Sequence, residues 1–178
     1  MAMDDLRRLL DSVVATAQHV TSARAGSVAL VEGGELVFRS ATGPQGHALI
    51  GVRLPIGSGI AGYAVSSGQA IALDDVREDP RFARDLAESL GYVPRGIVAV
   101  PLDTDDEVVG VLELLDPAGE VELDVLSLLA RQAALSITLA RAFGALTGDT
   151  EAAELAKRLS RLGDRERLLV RAFLDYVG

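Results

Sequence analysis

The chain has no cysteine and no asparagine, and Lys157 is its only lysine. Without thiols there are no disulfides, thiolate nucleophiles, sulfur metal ligands or thioether-linked cofactors. The two histidines, His19 and His47, are the only imidazoles. They lack metal-site spacing, so neither a metal nor a cofactor is expected. The scarcity of lysine and asparagine matches the codon bias of a GC-rich bacterial genome and carries no structural weight. No apolar run approaches the ~20 residues of a membrane-crossing helix. The opening residues 1–8 carry acids and lead into an amphipathic pattern, unlike a signal peptide. The expected setting is the cytoplasm, without membrane contact.

Positive charge is also short: 17 basic residues stand against 26 acidic ones, a net charge of −9. That balance disfavours nucleic acid, whose phosphates need basic neutralisation. Residues 149–178 are the exception, with six basic and six acidic side chains. The whole negative excess therefore falls on residues 1–148.

What is present is mostly apolar, at 49% of residues, which is enough for a real core. Leu6, Leu9, Leu10, Val13, Val14, Ala17 and Val20 have the spacing of an amphipathic helix. Gly26–Glu32 and Glu35–Ala41 read as strands joined by Gly33-Gly34, a two-residue hairpin turn. Asp79 as N-cap and Pro80 at the first helical position predict a helix running to Gly91. Gly96–Asp103 and Val108–Asp116 form a second, stronger hairpin around Thr104–Glu107.

Residues 121 to about 144 read as a long helix that is apolar on two sides. Val125, Leu128, Leu129 and Ala133 lie on one side, and Leu126, Ala130, Ile137 and Ala140 on the other. Such a helix must bury both faces, so a homodimer is expected. Beyond Gly148, two weaker stripes predict a helical extension over 148–178. Leu168, Leu169, Phe173 and Tyr176 would dock it on the domain or on a partner.

The most informative stretch runs from Leu54 to Asp75. It reads as a strand end, a glycine turn, a short helix with Ile60, Ala64 and Val65 on its apolar side, a stop at Gly68 and a strand with Ile71 and Leu73. This stretch, the Asp79–Gly91 segment, and Val98-Ala-Val-Pro-Leu followed by Val109-Gly-Val-Leu-Glu-Leu together resemble a GAF domain over roughly residues 4 to 144. The element order agrees with an α+β fold, an antiparallel sheet with helices segregated from it. The expected division is a GAF-like domain over 1–147 and a helical extension over 148–178.

The resemblance implies a sensory or regulatory module that holds its ligand between one sheet face and the helices above it. Mapped onto this chain, the candidate ligand-binding residues are Ser58, Tyr63, Asp74, Phe82, Asp85 and Tyr92. Phe82 could stack on a flat ligand, and Asp85 could accept its hydrogen bonds. Cyclic-nucleotide relatives carry a signature that includes asparagine and lysine, which this region lacks. Bilin-attaching and methionine-sulfoxide-reducing relatives depend on cysteine, which is also missing.

Gly57-Ser58-Gly59 is not a nucleophile elbow, because Ile56 precedes it. Gly57–Gly62 matches G-x-G-x-x-G without the strand–helix–strand setting of a dinucleotide site. Arg77, Arg81, Arg84 and Arg95 share their stretch with six acids, Asp74, Asp75, Glu78, Asp79, Asp85 and Glu88, a pattern usual for a solvated face. No catalytic set can be assembled, so an enzyme is not expected. The sequence leaves three readings: a sensor that binds an unidentified small molecule and signals through its terminal helices to a protein partner, a ligand-free dimerisation or scaffold module, and a DNA-binding regulator acting through Leu162–Leu168.

Overall fold

The computed structural model describes residues 2–44 and 46–147. The expected C-terminal helices and the Leu162–Leu168 turn lie outside the described residues. Contacts divide the chain into a unit of residues 1–140 and a second unit beginning at Arg141.

Helix α1 (Ala2–Thr21) leads into strands β1 (Ala25–Glu32) and β2 (Glu35–Ala41). A short helix α2 (Gly46–Leu49), strand β3 (Arg53–Pro55), helix α3 (Gly59–Ser67) and strand β4 (Ile71–Leu73) follow. Helix α4 (Arg84–Ser89), strands β5 (Ile97–Asp103) and β6 (Val108–Leu115) and helix α5 (Leu123–Thr147) complete the order. All strand pairs are antiparallel, and the sheet order is β3-β2-β1-β6-β5-β4.

Alternation along the strands sends successive side chains to opposite faces, so the sheet carries two cores. On one face Val28, Leu30, Val98, Val100, Leu112 and Leu114 pack with Leu10, Val14 and Ala17 of α1 and Leu126, Ala130, Ala134 and Ile137 of α5. On the other face Ala29, Phe38, Ile97, Ala99 and Val111 pack with Ile60, Ala61, Ala64 and Val65 of α3. Gly33 and Gly34 both take positive φ, 60° and 84°, as the tight hairpin between β1 and β2 requires. Gly68 ends α3 at φ 66°, its N–H donating to the Ala64 carbonyl. In the middle of the sheet β1 and β6 approach so closely that a Cβ on Gly110 would meet the Ala29 carbonyl oxygen at 2.3 Å.

Three expectations are corrected. The helix predicted over Asp79–Gly91 is reduced to α4, and Asp79 does not cap it. Asp79 Oδ1 instead accepts from the Arg81 N–H two residues on, at 2.9 Å, a local turn that competes with helix at this position. Val20, expected on the apolar side of α1, is 57% exposed. The third concerns α5. Leu126, Ala130 and Ile137 face the sheet together with Ala133, which the periodicity put on the other side. Val125, Leu128, Leu135 and Leu139 are left exposed. Residues 123–142 of α5 are also long and apolar enough, by length and composition, to cross a membrane. Of that stretch 28% is buried, and Arg131 lies on the helix, its guanidinium paired with Asp105 on the β5–β6 turn.

Candidate functional site

A cavity of about 110 Å³ lies on the α3 side of the sheet. Its floor is made by Ser27, Phe38, Ile97, Glu113 and Leu115 of the sheet, and its walls by Ile60 and Ala61 of α3 and by Phe82, Leu86, Leu90 and Tyr92. The composition is apolar with few polar groups, the usual make-up of a small-molecule site.

The segment from Asp74 to Arg95 closes one side. It is held by short-range polar bonds more than by burial, because no residue of α4 is buried. Two Asp-x-Arg pairs repeat along it. Asp75 caps the turn Val76–Glu78 and grips Arg77. Hydrogen bonding to Arg77 holds the Asp75 carboxyl far below the usual range. Asp79 accepts from Arg81 Nε at 2.9 Å and Nη2 at 2.7 Å, which lowers its pKa to about 2. Arg84 donates to the Arg77 carbonyl. Arg77, Arg81 and Arg84 are thus tied to neighbouring acids and a carbonyl, in keeping with a solvated face.

Tyr92 anchors the far end. Its hydroxyl donates to Asp116, and the Arg24 guanidinium sits over its ring at 5.3 Å. Burial and this bond push the phenol up to about 12. Asp116 takes φ 49° at the end of β6. It also accepts from the backbone N–H groups of Arg95 at 2.8 Å and Gly96 at 2.9 Å. Burial pushes its carboxyl upward, but the three hydrogen bonds and the Arg24 charge outweigh that and leave it below its ordinary value.

Of the six residues expected at a ligand site, Phe82 and Tyr92 line the cavity. The other four lie off its wall. Tyr63 is exposed, with the Arg81 guanidinium stacked 4.4 Å from its ring centre. Asp74 and Asp85 are exposed, and Ser58 sits just before α3. For Asp85 the cause is local: the segment is a pair of turns and a short helix, so a continuous helical face does not exist there, whereas Tyr63 lies on α3, whose buried side is formed by Ile60, Ala61, Ala64 and Val65. His19 and His47 are both exposed. No cluster of three or more metal-binding side chains occurs among the described residues.

Sequence reasoning gave no role to the polar groups that do face the cavity. Glu113 is only 9% exposed, and Ser27 only 4%. They are direct cross-strand partners on β6 and β1. Burial alone raises the Glu113 carboxyl to about 7, with no hydrogen bond offsetting it. The signal was available, since a lone carboxylate inside Val108-Val-Gly-Val-Leu-Glu-Leu-Leu alternates onto the same face as Val111 and Leu115.

Comparison with known proteins agrees with this architecture. The GAF domain family model matches residues 4–138. The GAF domain of a phosphoenolpyruvate-protein phosphotransferase from Coxiella burnetii superposes with a TM-score of 0.69 at 25% identity, covering 79% of this chain and 87% of that one. A free methionine-R-sulfoxide reductase from Neisseria meningitidis, solved with its substrate, gives 0.63 at 25% identity over 76% of this chain and 80% of that one. Among curated proteins, a probable 3',5'-cyclic phosphodiesterase of Caenorhabditis elegans is 28% identical over 86 residues, which are 45% of this chain. The match spans only 12% of that phosphodiesterase's length.

Proposed function

Because this chain belongs to the GAF domain family, whose members are signal-sensing regulatory modules, we propose that it binds a small molecule in the cavity beneath α4 and relays occupancy through α1 and α5 to a protein partner. The observation that carries this reading is the cavity itself, roofed by a segment with no buried residue on its helix. So little burial gives the roof low local stability, which suits a lid that must open and close. A ligand that prefers the closed form shifts the population toward it.

The sheet offers a short route to the terminal helices. Glu113 faces the cavity, while Leu112 and Leu114 on either side of it belong to the core shared with α1 and α5. Displacing β6 at Glu113 therefore acts on both faces. Catalysis has no support in this reading, since the chain lacks the cysteine on which sulfoxide-reducing relatives depend.

Native mass spectrometry of the full chain, followed by melting curves with a metabolite set, tests the proposal. A co-purifying mass or a stabilising metabolite is expected. Neither, in a protein whose cavity also takes up no apolar probe, overturns it in favour of a scaffold.

A second reading coexists with the first and rests on α5. Leu128 and Leu139 are 67% and 59% exposed, and Val125 and Leu135 continue the same stripe. The positions 125, 128, 135 and 139 are three, seven and four residues apart, a coiled-coil seam spacing in which Gln132 takes the intervening position. That stripe supports a homodimer formed through α5.

A further inference from the structure

The cavity's polar groups narrow the kind of ligand it can take. Glu113 and Ser27 face each other across β6 and β1 at the floor of a mainly apolar chamber, whose other polar side chains, Thr42 and Tyr92, are engaged with Gln18 and Asp116. Both are buried, and neither side chain has a hydrogen-bond partner among the described residues. Both groups open onto the cavity rather than into packed protein, so the carboxyl and the hydroxyl are together available to a ligand group. On the assumption that the cavity is a ligand site, we infer that it receives a small organic cation, a single ring or compact apolar body bearing an ammonium group, with the Glu113 carboxylate and the Ser27 hydroxyl as its polar anchors.

The choice among ligand classes follows from charge. An anion would meet a buried carboxylate with no cation on the wall to offset it. A neutral hydrogen-bond acceptor would need Glu113 protonated and would gain one neutral hydrogen bond. An ammonium group gains a charge-assisted bond, roughly twice as strong as a neutral one. It also relieves the ionised carboxylate of its uncompensated burial. The net charge of −9 favours encounter with cations as well. The volume of about 110 Å³ is comparable to an engineered cavity of ~150 Å³ that admits benzene, so the body is of one-ring size. Phe38, Phe82, Leu54 and Leu86 provide apolar walls for it.

The pH dependence has a defined sign. Among the described residues Tyr92 is the only other titratable side chain on the wall, and it is engaged with Asp116 and stays protonated in the neutral range. Beside Glu113 stand Ser27 on β1 and Ala99 on β5, and the cavity it opens onto is lined by Ile97 of β5, Ile60 and Ala61 of α3, and Leu86 and Leu90 of the roof, none of them charged. Protons and the ammonium group therefore compete for Glu113 alone. With its carboxyl at about 7, a cation should bind about tenfold more weakly near pH 6 than near pH 8.

The test uses the full chain, refolded from denaturant to strip any resident ligand. Calorimetry and NMR shifts of lining residues are read with three probes: benzylamine, benzyl alcohol and benzoate. Benzylamine should bind at least tenfold more tightly than benzyl alcohol near pH 8, should lose that preference in Glu113→Gln, and should weaken on acidification as above. Equal binding of benzylamine and benzyl alcohol, or a Glu113→Gln variant that keeps the preference, overturns the cation assignment while leaving a functional cavity. Should Glu113→Gln fail to fold, the pH series on the unmodified protein decides. Absence of any shift with all three probes overturns the cation assignment, and it overturns the sensor reading as well when no mass co-purifies and no metabolite stabilises the protein.

Discussion

Replacing Glu113 by glutamine should stabilise the ligand-free protein at alkaline pH and much less at acid pH. Burial raises the carboxyl from 4.5 to about 7 in the folded chain. A raised acid favours folding while both states are protonated, and that advantage is lost as pH rises from the unfolded value through the folded one. The window is therefore pH 4.5 to 7. Each pH unit between those two values is worth about 1.4 kcal/mol, so the full loss is about 3 kcal/mol. Most of it, about 2–3 kcal/mol, falls between pH 5 and pH 8.

Glutamine keeps the shape of the side chain and does not titrate, so the difference between variant and parent isolates this one group. Other titrating residues contribute equally to both proteins and cancel. Urea unfolding at several pH values gives the two stability curves. The variant should gain on the parent by about 2–3 kcal/mol from pH 5 to pH 8. A difference that stays flat across that range would refute the argument, because it would mean the carboxyl is solvated or partnered in the folded state. Protein still carrying a bound cation would give the same flat result, which is why the stripped form is required.

Asp116→Ala removes the acceptor for the Arg95 and Gly96 N–H groups and for the Tyr92 hydroxyl, and should cost about 2–4 kcal/mol. Asp116→Asn, which tolerates the same backbone conformation, should cost roughly half as much, and urea curves compare the two. Because the Asp116 carboxyl is held below its ordinary value, its stabilisation is present above the unfolded pKa and lost as pH falls through the folded one. On α5, Leu139→Glu should leave the melting temperature nearly unchanged and convert a dimer to monomer in sedimentation. Ile137→Glu, at a fully buried position, should abolish folding. A monomeric parent protein would remove the dimer from consideration.

Much of the fold is legible in the sequence because its signals are local. Pattern alone places β2 at its observed ends, β1 and β6 to within a residue and β5 with one extra residue at its start. Two alternating apolar runs separated by Gly33-Gly34, or by an acidic turn, leave few other pairings. The glycine stretch is also legible, since a left-handed residue such as Gly68 ends a short helix wherever it falls in a fold. The Asp79 segment misleads for an equally local reason. An aspartate before proline is both a helix start and a turn start, and only the arginine two residues later, which the carboxylate grips three times, decides between them.

The two faces of α5 show where periodicity stops. It shows that the helix is apolar all round, but Ala133 and Leu129 are neighbours in that pattern and only Ala133 is fully buried. Which stripe meets the sheet depends on the residues across from it, and those come from β5, β6 and α1. The cavity depends in the same way on side chains that meet from β1, β2, α3, α4, β5 and β6, which are spread over most of the described chain. Candidate residues chosen for their chemistry on a single segment put only Phe82 and Tyr92 on the wall. Glu113 answers a different question: which charged residue sits where strand alternation forbids solvent? A carboxylate between Leu112 and Leu114, on the face shared by Val111 and Leu115, is largely withdrawn from water and opens onto the cavity. It must be paired, protonated or awaiting a ligand. The structure removes the first option, which leaves the proton and the ligand as rivals for the same oxygen atoms.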